Sequence, residues 1–89
     1  MVEWNIRFKK KAQKDSKLLK AAHLEGRVER IIDVLRADPY GNPPPFEKME
    51  AEQRGAYSRR INIHHRLVYK IHPESRTVVV CSMFSHYGD

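Results

Sequence analysis

Hydrophobic positions recur along this chain in two periods, and the switch between them marks out the elements. From Val2 to Phe8 the residues alternate, with Val2, Trp4, Ile6 and Phe8 separated by Glu3, Asn5 and Arg7. A period of two predicts a strand with one buried face. From Lys9 the alternation is lost. Ala12, Leu18, Leu19 and Ala22 fall on one helical side with no Gly or Pro between them, which predicts a helix over 9–22. His23-Leu24-Glu25-Gly26 is the expected break. Over Leu24 to Ala37, Val28, Ile31, Ile32 and Leu35 take the i, i+3, i+4, i+7 spacing of an amphipathic helix, with Arg27, Glu29, Arg30, Asp33 and Arg36 on the wet side. Pro39 stops it, since proline cannot continue the turn. Two helices joined by so short a link predict an antiparallel hairpin lying on a sheet.

The second half returns to a period of two. Asp38 to Pro45, DPYGNPPP, reads as a stiff, extended loop because consecutive prolines restrict the backbone. It delivers Phe46-Glu47-Lys48-Met49. Tyr57 to Ile63 and His65 to Ile71 predict two strands with a tight turn near Asn62 to His65. Alternation sets Tyr57, Arg59 and Ile61 on one face and Ser58, Arg60 and Asn62 on the other. In the second strand Leu67, Tyr69 and Ile71 oppose Arg66, Val68 and Lys70. If Ile61 and Leu67 face the helices, Arg60 and Arg66 share the open face. Thr77 to Phe84, TVVVCSMF, is β-rich on both faces and predicts a central strand carrying Ser85-His86-Tyr87 at its end. No internal repeat or domain boundary interrupts the 89 residues, so residues 1–89 read as one α+β domain with a small core.

Charge changes this picture. The formal net charge is +6, which favours polyanionic partners, nucleic acid first. It is unevenly spread. Between Arg7 and Lys20 there are seven cations against Asp15 alone, a helix face suited to phosphates as well as to water. The stretch Gly55 to Tyr69, GAYSRRINIHHRLVY, places three arginines and two histidines on predicted strands. Cys81 is the only cysteine and sits in an apolar run, where it reads as a core residue, and nothing suggests an oxidising compartment. No apolar run approaches the about 20 residues that span a bilayer, and MVEWNIRFKKK has its charges on the wrong side for a secretory signal. The expectation is a cytoplasmic protein with no membrane partner.

Metal-free RNA cleavage needs a base to take the 2′-hydroxyl proton, fixed cations for the charge growing on phosphorus, and an acid for the departing 5′-oxygen. Arginine is the better cation, since it stays charged and offers a planar fork of donors. This chain has Glu47 on its stiff loop, Arg66 and Arg60 on strands, and His86 at a strand end, with Tyr87 able to hydrogen-bond or stack on a base. Singly, each has a plainer reading. Glu47 is a surface acid at a loop end, and His64 and His65 are turn residues. His23, His64, His65, His72 and His86 lack metal-ligand spacing, so no metal and no cofactor is expected. No Walker loop, GxGxxG or GxSxG is present.

The residues taken together resemble a known family. Trp4-x-x-x-Phe8, Pro43-Pro44-Pro45-Phe46-Glu47-Lys48, the run Gly55-x-Tyr57-Ser58-Arg59-Arg60-Ile61-Asn62-Ile63-x-His65-Arg66-Leu67-Val68-Tyr69 and the terminal His86-Tyr87 look like the YoeB (Txe/YoeB) toxins of bacterial type II toxin–antitoxin systems, over essentially the whole chain. The resemblance implies the RelE-like fold, a small antiparallel sheet with an N-terminal strand and a two-helix hairpin packed on one face. It implies a ribosome-dependent endoribonuclease that cuts mRNA in the ribosomal A site. A YefM-type antitoxin would neutralise it, and operator DNA would be met only through the toxin–antitoxin complex. A homodimer is left open. Carried over residue by residue, Glu47 is the general base, Arg66 the transition-state stabiliser, His86 the general acid and Tyr87 an orienting group. Arg60, Arg59, Lys48 and His65 are the expected substrate contacts.

Two features depart from the pattern. Gly88 and Asp89 follow the His-Tyr pair, adding a negative charge near the expected site. Met49 to Arg54, MEAEQR, lacks a leucine before the glycine. Two other functions fit the scaffold: an RNA- or antitoxin-binding protein without nuclease activity, and a gyrase-directed toxin of the ParE kind. The presence of both Glu47 and His86 disfavours each.

Overall fold

The computed structural model describes residues 3–41, 45–49 and 55–86, with the side chains of 85 and 86 left aside. The elements run β1 (Asn5–Phe8), α1 (Lys10–Ala21), α2 (Glu25–Ala37), β2 (Glu47–Lys48), β3 (Ala56–Arg60), β4 (His65–His72), a 3-10 turn (Pro73–Ser75) and β5 (Thr77–His86). The strands form one sheet in the order β1-β5-β4-β3-β2. Both helices pack on one of its faces. Their buried side chains Ala12, Leu19, Val28, Ile31, Ile32 and Leu35 meet Leu67 and Tyr69 of β4 and Val78, Val80 and Met83 of β5 in a single core.

The α+β class and the helix pair on one face follow the pattern of apolar positions. The sheet departs from all-antiparallel in one place: β1 runs parallel to β5, with Asn5 level with Thr77 and Phe8 level with Val80. Parallel neighbours need a long connection, and here the rest of the chain supplies it. β5 is accordingly an interior strand, paired on both sides, which is why Val78 and Val80 are wholly buried. Val2 lies outside the described residues.

The helix break falls earlier than Gly26. α1 ends at Ala21, and His23 takes a left-handed conformation with φ of 61°. The Leu24 amide donates to the Leu19 carbonyl and the His23 amide to that of Lys20. This pair of bonds is a Schellman closure, which satisfies carbonyls left over at the helix end. Gly26 is the second residue of α2 rather than part of the link. The buried stripe of α1 is Ala12, Asp15 and Leu19, whereas Leu18 and Ala22 are exposed. An acid therefore stands where the apolar pattern led one to expect a leucine. No helix among the described residues is long and apolar enough to cross a membrane.

Candidate active site

Glu47 is held by a strand and not by a loop end. β2 is only two residues long and pairs antiparallel with β3, Glu47 opposite Ser58 and Lys48 opposite Tyr57. β3 pairs in turn with β4, Ser58 opposite Val68 and Arg60 opposite Arg66. Paired residues share a face and neighbours alternate. Glu47, Ser58, Arg60 and Arg66 consequently lie together on the face away from the helices. There, one Arg66 Nη is 3.4 Å from a Glu47 carboxylate oxygen. The other Nη donates to the second oxygen at 3.5 Å, and Arg66 also donates to Ser58 Oγ at 3.4 Å. Pro45, Glu47, Arg60 and Arg66 line a cavity of about 230 Å³.

The exposures of the pair differ, and the difference matters chemically. The Arg66 side chain is 8% exposed and that of Glu47 53%. The guanidinium is fixed by its surroundings while the carboxylate meets solvent. Charge-assisted contacts of well-formed pairs fall near 2.7–2.9 Å. At 3.4–3.5 Å this one is long, so an entering anion can take over Arg66 donors without breaking a tight pair. Ser58, which alternation places on this face, is fully buried and steadies Arg66 from below.

Other expected substrate contacts have different positions. Arg59 is 1% exposed, and alternation turns it to the helix side. Its Nε donates to the Tyr69 hydroxyl at 3.0 Å and its Nη2 to the carbonyls of Pro39 and Gly41 at 3.0 and 2.9 Å. The guanidinium also lies 5.1 Å from the Phe46 ring centre. Arg59 thus braces the loop that precedes Glu47 and does not reach the open face. Burial pushes the Tyr69 hydroxyl above its ordinary pKa, against the opposing pull of Arg59. His65 is buried too, its ring stacked on Phe84 at 3.9 Å. Lys48 is exposed but pairs with Tyr57, so it points away from Glu47.

His86 closes β5. Its backbone is level with His65, and Ser85 is level with Arg66, so on the ladder it is Ser85 and not His86 that stands opposite Arg66. Its side chain, and Tyr87, Pro43 and Pro44 altogether, lie outside the described residues. Asp15 is a further buried polar residue that apolar periodicity alone does not single out. A carboxylate on the 12–15–19 stripe of α1 was the available signal, since acids are seldom buried without a task. Its Oδ2 accepts the amides of Met83 at 2.9 Å and Phe84 at 3.2 Å. Burial is the largest influence on its pKa and acts upward. The Met83 amide, the Lys11 ammonium and the Phe84 amide together outweigh it and hold the carboxyl below its ordinary value.

The family model of the YoeB-like toxin of bacterial type II toxin–antitoxin systems matches residues 8–87. The chain belongs to that family. Toxin YoeB of Synechocystis is 36% identical over 75 residues, covering 84% of this chain and 78% of that protein. Toxin YoeB of Streptomyces coelicolor is 33% identical over 76 residues, covering 85% and 81%. Among solved structures, the YoeB–YefM complex of Staphylococcus aureus superimposes with a TM-score of 0.77 at 28% identity, covering 94% of this chain and 98% of that one. This YoeB-like toxin thus has the family's α+β fold, and the Glu47–Arg66 pair and its cavity fall within the matched span.

Proposed function

We propose that this type II toxin is a ribosome-dependent endoribonuclease that cuts mRNA in the ribosomal A site and so stops translation. The observation that carries the reading is the exposed Glu47 carboxylate set against the buried, strand-held Arg66 guanidinium over a small cavity flanked by Arg60. A scissile phosphate seated there takes donors from Arg66 and Arg60. Glu47, more than half exposed, accepts the 2′-hydroxyl proton. The oxygen attacks phosphorus, the P–O5′ bond breaks, and His86 returns a proton to the departing oxygen. Tyr87 orients the phosphate or a base. Arg66 neutralises the charge that grows on the phosphorane, a task suited to a donor fork fixed before the reaction begins. No step requires a metal ion.

The exposed lysines of α1 give this toxin a second cationic surface for ribosomal RNA. Lys9, Lys10 and Lys11 sit at the start of the helix with no acid in its first turn, an arrangement that the helix dipole disfavours and that a polyanion relieves. The neutralising partner is a YefM-type antitoxin, as in the Staphylococcus aureus complex. The pair represses its own operon, and the toxin acts in the cytoplasm. Purified toxin, ribosomes and a defined mRNA test the reading, with the cleavage ends mapped by primer extension. Glu47→Gln and His86→Gln should each slow cleavage by about 10²–10⁴-fold. A double variant that cuts at the wild-type rate refutes the base and acid roles. A wild-type protein that binds ribosomes and leaves mRNA whole refutes the nuclease itself.

A further inference from the structure

Asp15 is buried on α1 and joins two parts of the chain 68 residues apart. Its Oδ2 accepts the amides of both Met83 and Phe84, and Lys11 Nζ lies 2.9 Å from each of its oxygens. Consecutive amides of a regular strand point to opposite sides. Two that converge on one oxygen mark a bulge, and the pairing shows it: Val68 is level with Ser82, but Arg66 is level with Ser85. β5 spends three residues where β4 spends two.

Continued without that extra residue from the Val68–Ser82 pair, β5 would bring Phe84 opposite Arg66. A one-residue slip turns every following side chain to the other face, so the phenyl ring would lie on the face of Arg66, directly across from its guanidinium-bearing position. The bulge instead lets Phe84 stack on His65, sets the small Ser85 opposite Arg66, and brings His86 level with His65. We infer that Asp15 is a positioning residue for the catalytic site: by capping the β5 bulge it fixes the register past Ser82, which keeps Phe84 off the Arg66 face and sets Ser85 there instead. A buried carboxylate is a poor source of net stability compared with an apolar side chain of similar size, and its best-attested use is to specify one arrangement. An apolar residue at 15 would pack beside Ala12 and Leu19 while leaving both amides without that acceptor, which favours the slipped pairing.

The catalytic half of this inference rests on the nuclease reading; the register half does not. The test compares full-length wild type with Asp15→Leu and Asp15→Asn, the second keeping the shape and one acceptor oxygen without the charge. Cross-strand nuclear Overhauser contacts between β4 and β5 report the register. Single-turnover cleavage at saturating ribosomes reports the chemistry. Asp15→Leu should replace the Arg66–Ser85 contacts by Arg66–Phe84 contacts or lose both. With Phe84 crowding the Arg66 guanidinium it should slow cleavage roughly 10²-fold, the scale expected for a reacting phosphate displaced by about 1 Å. The half-saturating ribosome concentration should stay unchanged, because the defect is in chemistry and not in binding. Asp15→Asn should fall between, and it becomes the deciding variant if Asp15→Leu does not fold. Lys11→Met should keep the wild-type register. A folded Asp15 variant with wild-type β4–β5 contacts, or one with altered contacts and an unchanged cleavage rate, overturns the proposal. If the wild type cuts nothing, the nuclease reading has failed, and the Overhauser contacts alone decide whether Asp15 holds the register.

Discussion

Arg59 and Arg60 are adjacent in the chain and have opposite tasks, so replacing each with methionine separates fold from RNA contact. Arg59→Met removes a buried donor to the Tyr69 hydroxyl and to the Pro39 and Gly41 carbonyls. Hydrogen bonds from a charged donor contribute about 1.5–3 kcal/mol each, but the guanidinium itself costs several kcal/mol to bury, and its removal returns that. Methionine refills most of the volume between Phe46 and Tyr69. What remains is the cost of acceptors stripped of their donor, about 1–3 kcal/mol for each one that water cannot reach. Gly41 is only half-buried and recovers part of this. The net loss should be about 2–4 kcal/mol, a large share of the ~5–15 kcal/mol that holds a small domain together. In urea the midpoint should fall by about 1–3 M. Arg60 is exposed, and Arg60→Met should stay within about 0.5 kcal/mol of wild type while weakening cleavage on the ribosome. Equilibrium urea unfolding followed by tryptophan fluorescence measures both, since Trp4 packs against Tyr40 at the start of the braced loop. An Arg59→Met protein that unfolds at the wild-type midpoint, or an Arg60→Met protein that is the less stable of the two, refutes the division of labour.

Asp15 makes stability depend on pH in a definite direction. Its folded pKa is below the ordinary 3.8, so its contribution is fully present above pH 3.8 and is lost as pH falls through the folded value. Acid titration of unfolding should show this loss in wild type and not in Asp15→Asn. Gly26 sits in α2 with open space where a Cβ would go. Gly26→Ala should raise stability by about 0.5–1 kcal/mol by thermal melting, and a fall in melting temperature would contradict its placement. Lys14 and Lys17 are exposed on α1. Reversing both to glutamate should weaken ribosome binding and flatten its salt dependence, with single-turnover cleavage at saturation little changed, and an unaltered salt slope would remove this face from the RNA-binding surface.

Sequence alone determined the features that depend on local period and chemistry. The 3.6-residue stripe Val28, Ile31, Ile32, Leu35 is the buried face of α2 because a helix brings those positions to one side. Strict alternation through Ser58, Arg60, Arg66 and Val68 put two arginines on the open face because the pleat has a period of two. The motif from Gly55 to Tyr69 carried the family. Tertiary structure decided what depends on partners distant in the chain. Arg59 and Arg60 are the same residue type one position apart, and only the sheet's packing against the helices sends one inward to brace the Pro39–Gly41 loop. Glu47 looked like the end of a stiff loop because a two-residue strand has no period to read; pairing with Ser58 gives it a fixed place beside Arg66. The break after α1 fell at His23 because left-handed geometry and its two closing bonds are set by the backbone, and glycine is only the commonest residue to supply them. The shift in β5 past Ser82 is capped by one carboxylate. No alternation within TVVVCSMF shows that a residue is spent on a bulge, since the acceptor that stabilises it lies on α1, 68 residues earlier.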